Sequence, residues 1–116
     1  MGQDDPLNGL FKSMVSDRVD QVAYPRALEL FFDFVGAGEN RNAGYHAAAT
    51  YDTEPVARLV AQPSLVISTK SSLRDGTIKV AEWMPNARLV EQSDTTLPAF
   101  ELGAAKIASL TKDFIA

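Results

Sequence analysis

The sequence contains no cysteine and only one histidine in 116 residues. Without cysteine, the chain has neither a disulfide framework nor a thiol nucleophile. Most zinc sites are built from cysteine and histidine, so a single histidine leaves too few ligands for one. We therefore predict no metal site, and nothing in the sequence indicates a cofactor.

Clusters of basic residues are also missing, and the formal net charge is −4. A surface that binds phosphate groups needs grouped lysine and arginine side chains, so we expect no nucleic-acid partner. An anionic membrane surface is disfavoured for the same reason. The first residues include acids rather than lysines and no long apolar run follows them, so we predict no signal peptide, no membrane span and a cytoplasmic location.

What the chain does have is a composition that can bury a core, with 46% hydrophobic and 9% aromatic residues. The length is that of a single domain over residues 1–116. The spacing of apolar residues predicts an α/β fold with two halves, a helical half over 1–62 and a βαβα half over 63–116. We place the seam between them at Gln62 and Pro63.

Helix-start signals divide the first half. An aspartate at position 4 or 5 followed by Pro6 predicts a helix that runs to about Val15, and Pro25 predicts another that Gly36 ends. The second of these helices contains Phe31, Phe32 and Phe34. We expect them to lie in the core, or to mark an interface if the chain does not cover them. Two further helices are predicted over 43–50 and from Asp52 to about Ala61.

The second half alternates between strand and helix patterns. The continuous apolar run at 65–67 is typical of a strand that is covered on both faces in a parallel sheet. A helix is predicted from 76 or 77 to Met84, a second strand from Ala87 to Glu91, and a final amphipathic helix from Ala99 to Ile115. A strand, helix, strand order implies a parallel crossover. Two strands alone leave both outer edges of a sheet unpaired, so this sheet requires further neighbours.

Three segments of this half, in this order, resemble the C-terminal portion of the α/β-hydrolase family. They are P-S-L-V-I at 63–67, P-N-A-R-L-V-E at 85–91, and the spacing from Leu97-Pro98 to the helix end at 112–115. Residues 43–60 are similar to the exit from the cap domain in family members that have a cap. The resemblance implies the last two strands and helices of a hydrolase sheet, preceded by a cap-like helical half.

The same resemblance identifies what is absent. The position of the family's triad acid is occupied by Ser72, and that of its histidine by Thr96. No serine has glycines two residues to either side, so the G-x-S-x-G elbow that holds the family's nucleophile is missing as well. Because a hydroxyl cannot replace imidazole as a general base at neutral pH, we predict no triad chemistry.

Four residues are candidates for lining a pocket: Tyr45, His46, Tyr51 and Asp75. His46 has the only side chain that titrates near neutral pH when unperturbed, and two tyrosines lie near it in sequence. Asp75 follows the family's acid position by three residues, and Asp94 lies in the turn after the second strand. The competing interpretation assigns His46 to a helix surface and both aspartates to turns or a helix start.

We therefore expect a catalytically incomplete hydrolase-like module that completes its sheet by self-association or with a complementing hydrolase half. The alternative is a small hydrolase that acts on an ester-like or other small substrate through an unconventional site. A third hypothesis is the product of a truncated or decaying gene, without selected activity.

Overall fold

A computed structural model describes residues 5–96 and 98–116, and Asp4 and Leu97, both named above, lie outside this part. The chain forms two compact units, which we call unit 1 (to Tyr51) and unit 2 (Asp52–Ala116). The sequence placed the seam at Gln62 and Pro63, eleven residues later than this division. The difference arises because the segment after Tyr51 contains a short helix that packs within unit 2.

Unit 1 is helical. Its elements are α1 (Pro6–Met14), a 3₁₀ turn (Ser16–Arg18), α2 (Tyr24–Gly36), a second 3₁₀ turn (Gly38–Asn42) and α3 (Ala43–Thr50). At the start of α1, Asp5 Oδ1 accepts a hydrogen bond of 2.9 Å from the backbone N–H of Leu7. Pro6 occupies the first turn, where a missing N–H costs nothing. These two residues explain why the helix begins where the sequence predicts.

The core of unit 1 contains Val15, Val22, Ala27 and Phe31, all of which are buried. The ring of Phe31 meets that of Phe11 edge to face, with centroids 5.2 Å apart. This contact joins α1 to α2. The expectation that Phe32 also lies in the core is wrong, because its side chain is 63% exposed.

Unit 2 contains α4 (Glu54–Ala57), β1 (Ser64–Thr69), α5 (Arg74–Trp83), β2 (Ala87–Gln92) and α6 (Ala99–Ile115). The strands β1 and β2 are parallel and pair in register from Ser64 opposite Ala87 to Thr69 opposite Gln92. Helix α5 packs on both strands, α4 packs on α5, and α6 packs on β1. The protein is therefore a mixed α/β structure whose described part contains a two-stranded parallel sheet.

The apolar core of unit 2 is thin. Among the described residues of this unit, the buried hydrophobic side chains are those of Ala57 and Ala81, and both are small. The strand residues Leu65, Val66 and Ile67 are only half-buried. Their sequence predicts a strand covered on both faces, and within the described residues of unit 2 that cover is incomplete.

Candidate functional site

The carboxyl ends of the two strands form the part of unit 2 where the sequence places candidate chemistry. The backbone N–H of Lys70, just after β1, donates a hydrogen bond of 2.8 Å to the carbonyl of Thr95 in the turn after β2. The two turns that correspond by resemblance to the acid and histidine turns of a hydrolase are thus neighbours. Ser72 and Thr96, the residues at those positions, are both exposed.

Thr95 fixes the position of this turn against α6. Its side chain is buried, and Gly103 of α6 faces it so closely that a β-carbon at Gly103 would lie 2.6 Å from Thr95 Cγ2. Any larger residue at position 103 would therefore push the helix from the turn. This contact is not among the features predicted from the sequence. A glycine inside an amphipathic helix is the one signal that indicates such a close approach.

Two cations, Arg74 and Lys106, form ion pairs at the same end of the sheet. Arg74, the first residue of α5, contacts Glu91 of β2 and also donates to Asp75 Oδ1 at 3.1 Å. The hydrogen bond to Glu91 raises the pKa of the Arg74 guanidinium, with the charges of both carboxylates acting in the same direction. Arg74 is therefore cationic at every usable pH, and it ties the start of α5 to the end of β2.

Lys106 of α6 forms its ion pair with Asp94 in the turn after β2. The hydrogen bond from Lys106 lowers the pKa of the Asp94 carboxyl below its usual value, because it stabilises the charged form. A shallow, open depression beside β2 includes both residues, together with Glu91 and Ser109. Asp94 therefore serves here as an anchor for the turn.

An apolar cleft of about 310 Å³ lies at the β1 side of the sheet. We call it the β1 cleft. It is lined by β1, by the loop into α5, by α5 itself and by the first half of α6. The residues are Ile67, Thr69, Ser71, Leu73, Thr77, Ala99, Phe100 and Ile107.

These lining residues provide apolar surface and three hydroxyl groups, but no carboxylate or imidazole. A hydroxyl nucleophile needs a neighbouring base to remove its proton at neutral pH. The lining of the β1 cleft that the structure describes therefore holds an apolar group better than it catalyses hydrolysis.

The pocket candidates from the sequence fall in different units. Tyr45, His46 and Tyr51 belong to unit 1, where Tyr45 and Tyr51 are exposed. His46 lines a shallow depression with Glu39, Asn42 and Ala43, among others. In unit 2, Asp75 lies in the first turn of α5, with its side chain 91% exposed and paired to Arg74. A ligand-binding role for these residues stays a prediction.

Within residues 5–96 and 98–116, no group of three or more histidine, aspartate or glutamate side chains could hold a metal ion. No helix in the same part of the chain has the length and apolar character needed to cross a membrane.

Comparisons with protein-family models, with curated proteins and with solved structures gave no match to this chain. The hydrolase relationship consequently remains a hypothesis that rests on the sequence motifs.

Proposed function

We propose that this protein is an α/β-hydrolase-like module without its own catalytic triad, which functions by binding another polypeptide that completes its sheet. The observation that carries the proposal is the incomplete burial of the strand residues. Leu65, Val66 and Ile67 are apolar and uncharged, and all three are half-buried in a sheet of two strands. Parallel strands of this composition are normally covered by neighbours on each side.

The small core of unit 2 supports the same proposal. A two-stranded sheet is marginally stable unless further strands or helices cover it. The helices α5 and α6 provide part of this cover, but exposed Leu73 and Phe100 remain beside the β1 cleft. Apolar residues grouped next to an unpaired strand are typical of a surface that binds another chain.

The alternative of a small hydrolase has less support. It needs a general base near a nucleophile. The two carboxylates considered for it in unit 2, Asp75 and Asp94, are each paired with a cation, and His46 belongs to unit 1. We therefore assign the carboxyl end of the sheet to binding.

The solution mass of the purified protein tests the proposal, measured by size-exclusion chromatography with light scattering at micromolar concentration. We expect an assembly of two or more chains. We expect Ile67→Lys to reduce it to single chains, because a charge beside an unpaired strand opposes strand addition. Val90→Lys is the matched control: Val90 is the register partner of Ile67 on β2 and is equally half-buried.

The control separates loss of assembly from loss of folding. Both lysines enter the same two-stranded sheet, so circular dichroism should show similar damage, whereas only Ile67→Lys should dissociate the assembly. A wild-type protein that is a well-folded single chain at micromolar concentration would overturn the proposal. An assembly that survives Ile67→Lys would overturn it as well.

A further inference from the structure

The two free edges of the sheet differ in a way that indicates which one binds a partner. Edge strands that avoid association typically carry charged side chains. On β2, Arg88 and Glu91 are exposed, whereas β1 has no charged residue between Ser64 and Thr69. The edge of β1 is thus the unprotected one.

Backbone hydrogen bonds show which groups that edge presents. The N–H of Ser64 donates to Asn86 on the β2 side at 3.0 Å, and the N–H of Lys70 points to Thr95 beyond β2. Backbone groups alternate sides along a strand, so the even-numbered residues of β1 bond towards β2. The N–H and C=O groups of Leu65, Ile67 and Thr69 consequently point to the free edge.

We propose that the chain which pairs with this edge is the β1 strand of a second copy of the protein, and this inference rests on the function proposed above. The two strands are antiparallel, with Val66 of one copy opposite Val66 of the other. A two-fold axis perpendicular to the sheet makes identical strands antiparallel and gives a four-stranded sheet in the order β2, β1, β1, β2. No like charges meet across it, because the strand is uncharged. The other candidate edge places charged residues at the interface.

The alternation of backbone groups limits the register. Hydrogen bonds between the two β1 strands form only if odd-numbered residues of one copy lie opposite odd-numbered residues of the other. A symmetric pair can then be centred on Leu65, on Val66 or on Ile67. The pairing centred on Val66 sets Leu65 opposite Ile67 and lets the N–H of Thr69 donate to the carbonyl of Pro63. Pro63 has no N–H, so the ladder ends there without an unpaired donor.

This pairing also uses the β1 cleft. In an antiparallel pair, the amino end of one β1 lies beside the carboxyl end of the other. Pro63 and the residues before it would then approach Leu73 and Phe100, which are 71% and 77% exposed in the single chain. The apolar rim of the cleft would be covered by the second copy.

Disulfide trapping tests the register, and the absence of native cysteine makes each introduced thiol unique. At a symmetric position of an antiparallel pair without hydrogen bonds, the two α-carbons lie about 4.5 Å apart, within the reach of a disulfide. Val66→Cys should therefore form a covalent dimer under mild oxidation. In Ile67→Cys, and likewise in Leu65→Cys, the two cysteines of the pair are offset by two residues along the strands, with α-carbons about 8 Å apart. These variants should give roughly tenfold less dimer.

Each outcome separates this inference from the proposed function. Efficient linkage of Val66→Cys alone supports the register. Linkage of Ile67→Cys or Leu65→Cys in its place would overturn the register. If Val66→Cys does not link while Ile67→Lys still dissociates the assembly, the sheet is completed by another arrangement, and only the present inference fails.

Discussion

Gly103 of α6 and Thr95 of the turn after β2 are in such close contact that a β-carbon on the glycine would lie 2.6 Å from the threonine Cγ2. The contact fixes the distance between the final helix and the turn after β2. Glycine is unfavourable inside a helix by about 1 kcal/mol relative to alanine. Its presence here is explained by the space that Thr95 takes.

Gly103→Ala should therefore destabilise the protein despite its better helix propensity. Overpacking costs about 1–3 kcal/mol, which exceeds the propensity gain, and we expect a net loss of about 1 kcal/mol. Urea denaturation followed by circular dichroism measures this change.

Two variants test the cause of that loss. Thr95→Ser removes the methyl group that clashes, so combining it with Gly103→Ala should recover most of the stability. Gly76→Ala, in α5, is the control because no atom lies within 4 Å of its added β-carbon. If both alanine substitutions raise stability equally, the close contact does not constrain the helix.

Phe31 and Phe32 are adjacent in α2 but have different surroundings. Phe31 is 6% exposed and packs edge to face on Phe11, whereas Phe32 is largely exposed. Phe31→Ala should reduce the free energy of unfolding by about 3–5 kcal/mol, through lost transfer energy and a cavity. Phe32→Ala should cost about 1 kcal/mol or less, mainly from its ring contact with Phe31.

The two alanine variants have the same change in volume and helix propensity, so each controls for the other. Thermal unfolding of both, compared with the wild type, is sufficient. Equal losses in the two variants would contradict the packing of α2 in unit 1.

Local signals explain which parts of the fold the sequence could predict. Pro6 and Pro25 lie in the first turns of α1 and α2, and the predicted bounds of α3 and α6 agree with the structure. The parallel pairing of β1 and β2 also follows from the strand, helix, strand order. In each case, the signal lies in a short stretch of sequence or in the order of consecutive elements.

Features that depend on distant residues were not predictable. The predicted helix from Asp52 to Ala61 is only one turn long, α4, and the chain then leaves it for β1. In α6, Phe100 and Ala104 are exposed although they lie at helical spacing with Ile107, and Gly103 is buried instead. Helical spacing gives the face of a helix to within a residue or two, and only the contact with Thr95 selects which residue is innermost.

The candidate site shows the same limit. Parallel strands place the turns after β1 and β2 at the same edge of the sheet, and the hydrogen bond from Lys70 to Thr95 joins them. The ion pairs of Arg74 with Glu91 and of Lys106 with Asp94 gave no sequence signal, because 17 and 12 residues separate the partners. Such pairs become visible only when the sheet and its helices are assembled.

The pair formed by Asp94 and Lys106 predicts a specific pH dependence. The pKa of Asp94 is lower in the folded chain than in the unfolded chain, mainly because of the hydrogen bond from Lys106. A lowered carboxyl pKa contributes stability that is fully present above the unfolded value of about 3.9 and is lost as the pH falls through the folded value. Both side chains are exposed, so the contribution is small and decreases with salt.

Asp94→Asn should therefore lower the melting temperature slightly at pH 7 and have less effect at pH values below the folded pKa. Differential scanning calorimetry at low ionic strength, at a series of falling pH values from pH 7, follows this loss. In a Lys106→Gln background, Asp94→Asn should have little effect at any of these pH values, because the hydrogen bond that lowers the pKa is already absent. An effect of Asp94→Asn that is the same with and without Lys106 would show that this pair does not hold the turn to α6.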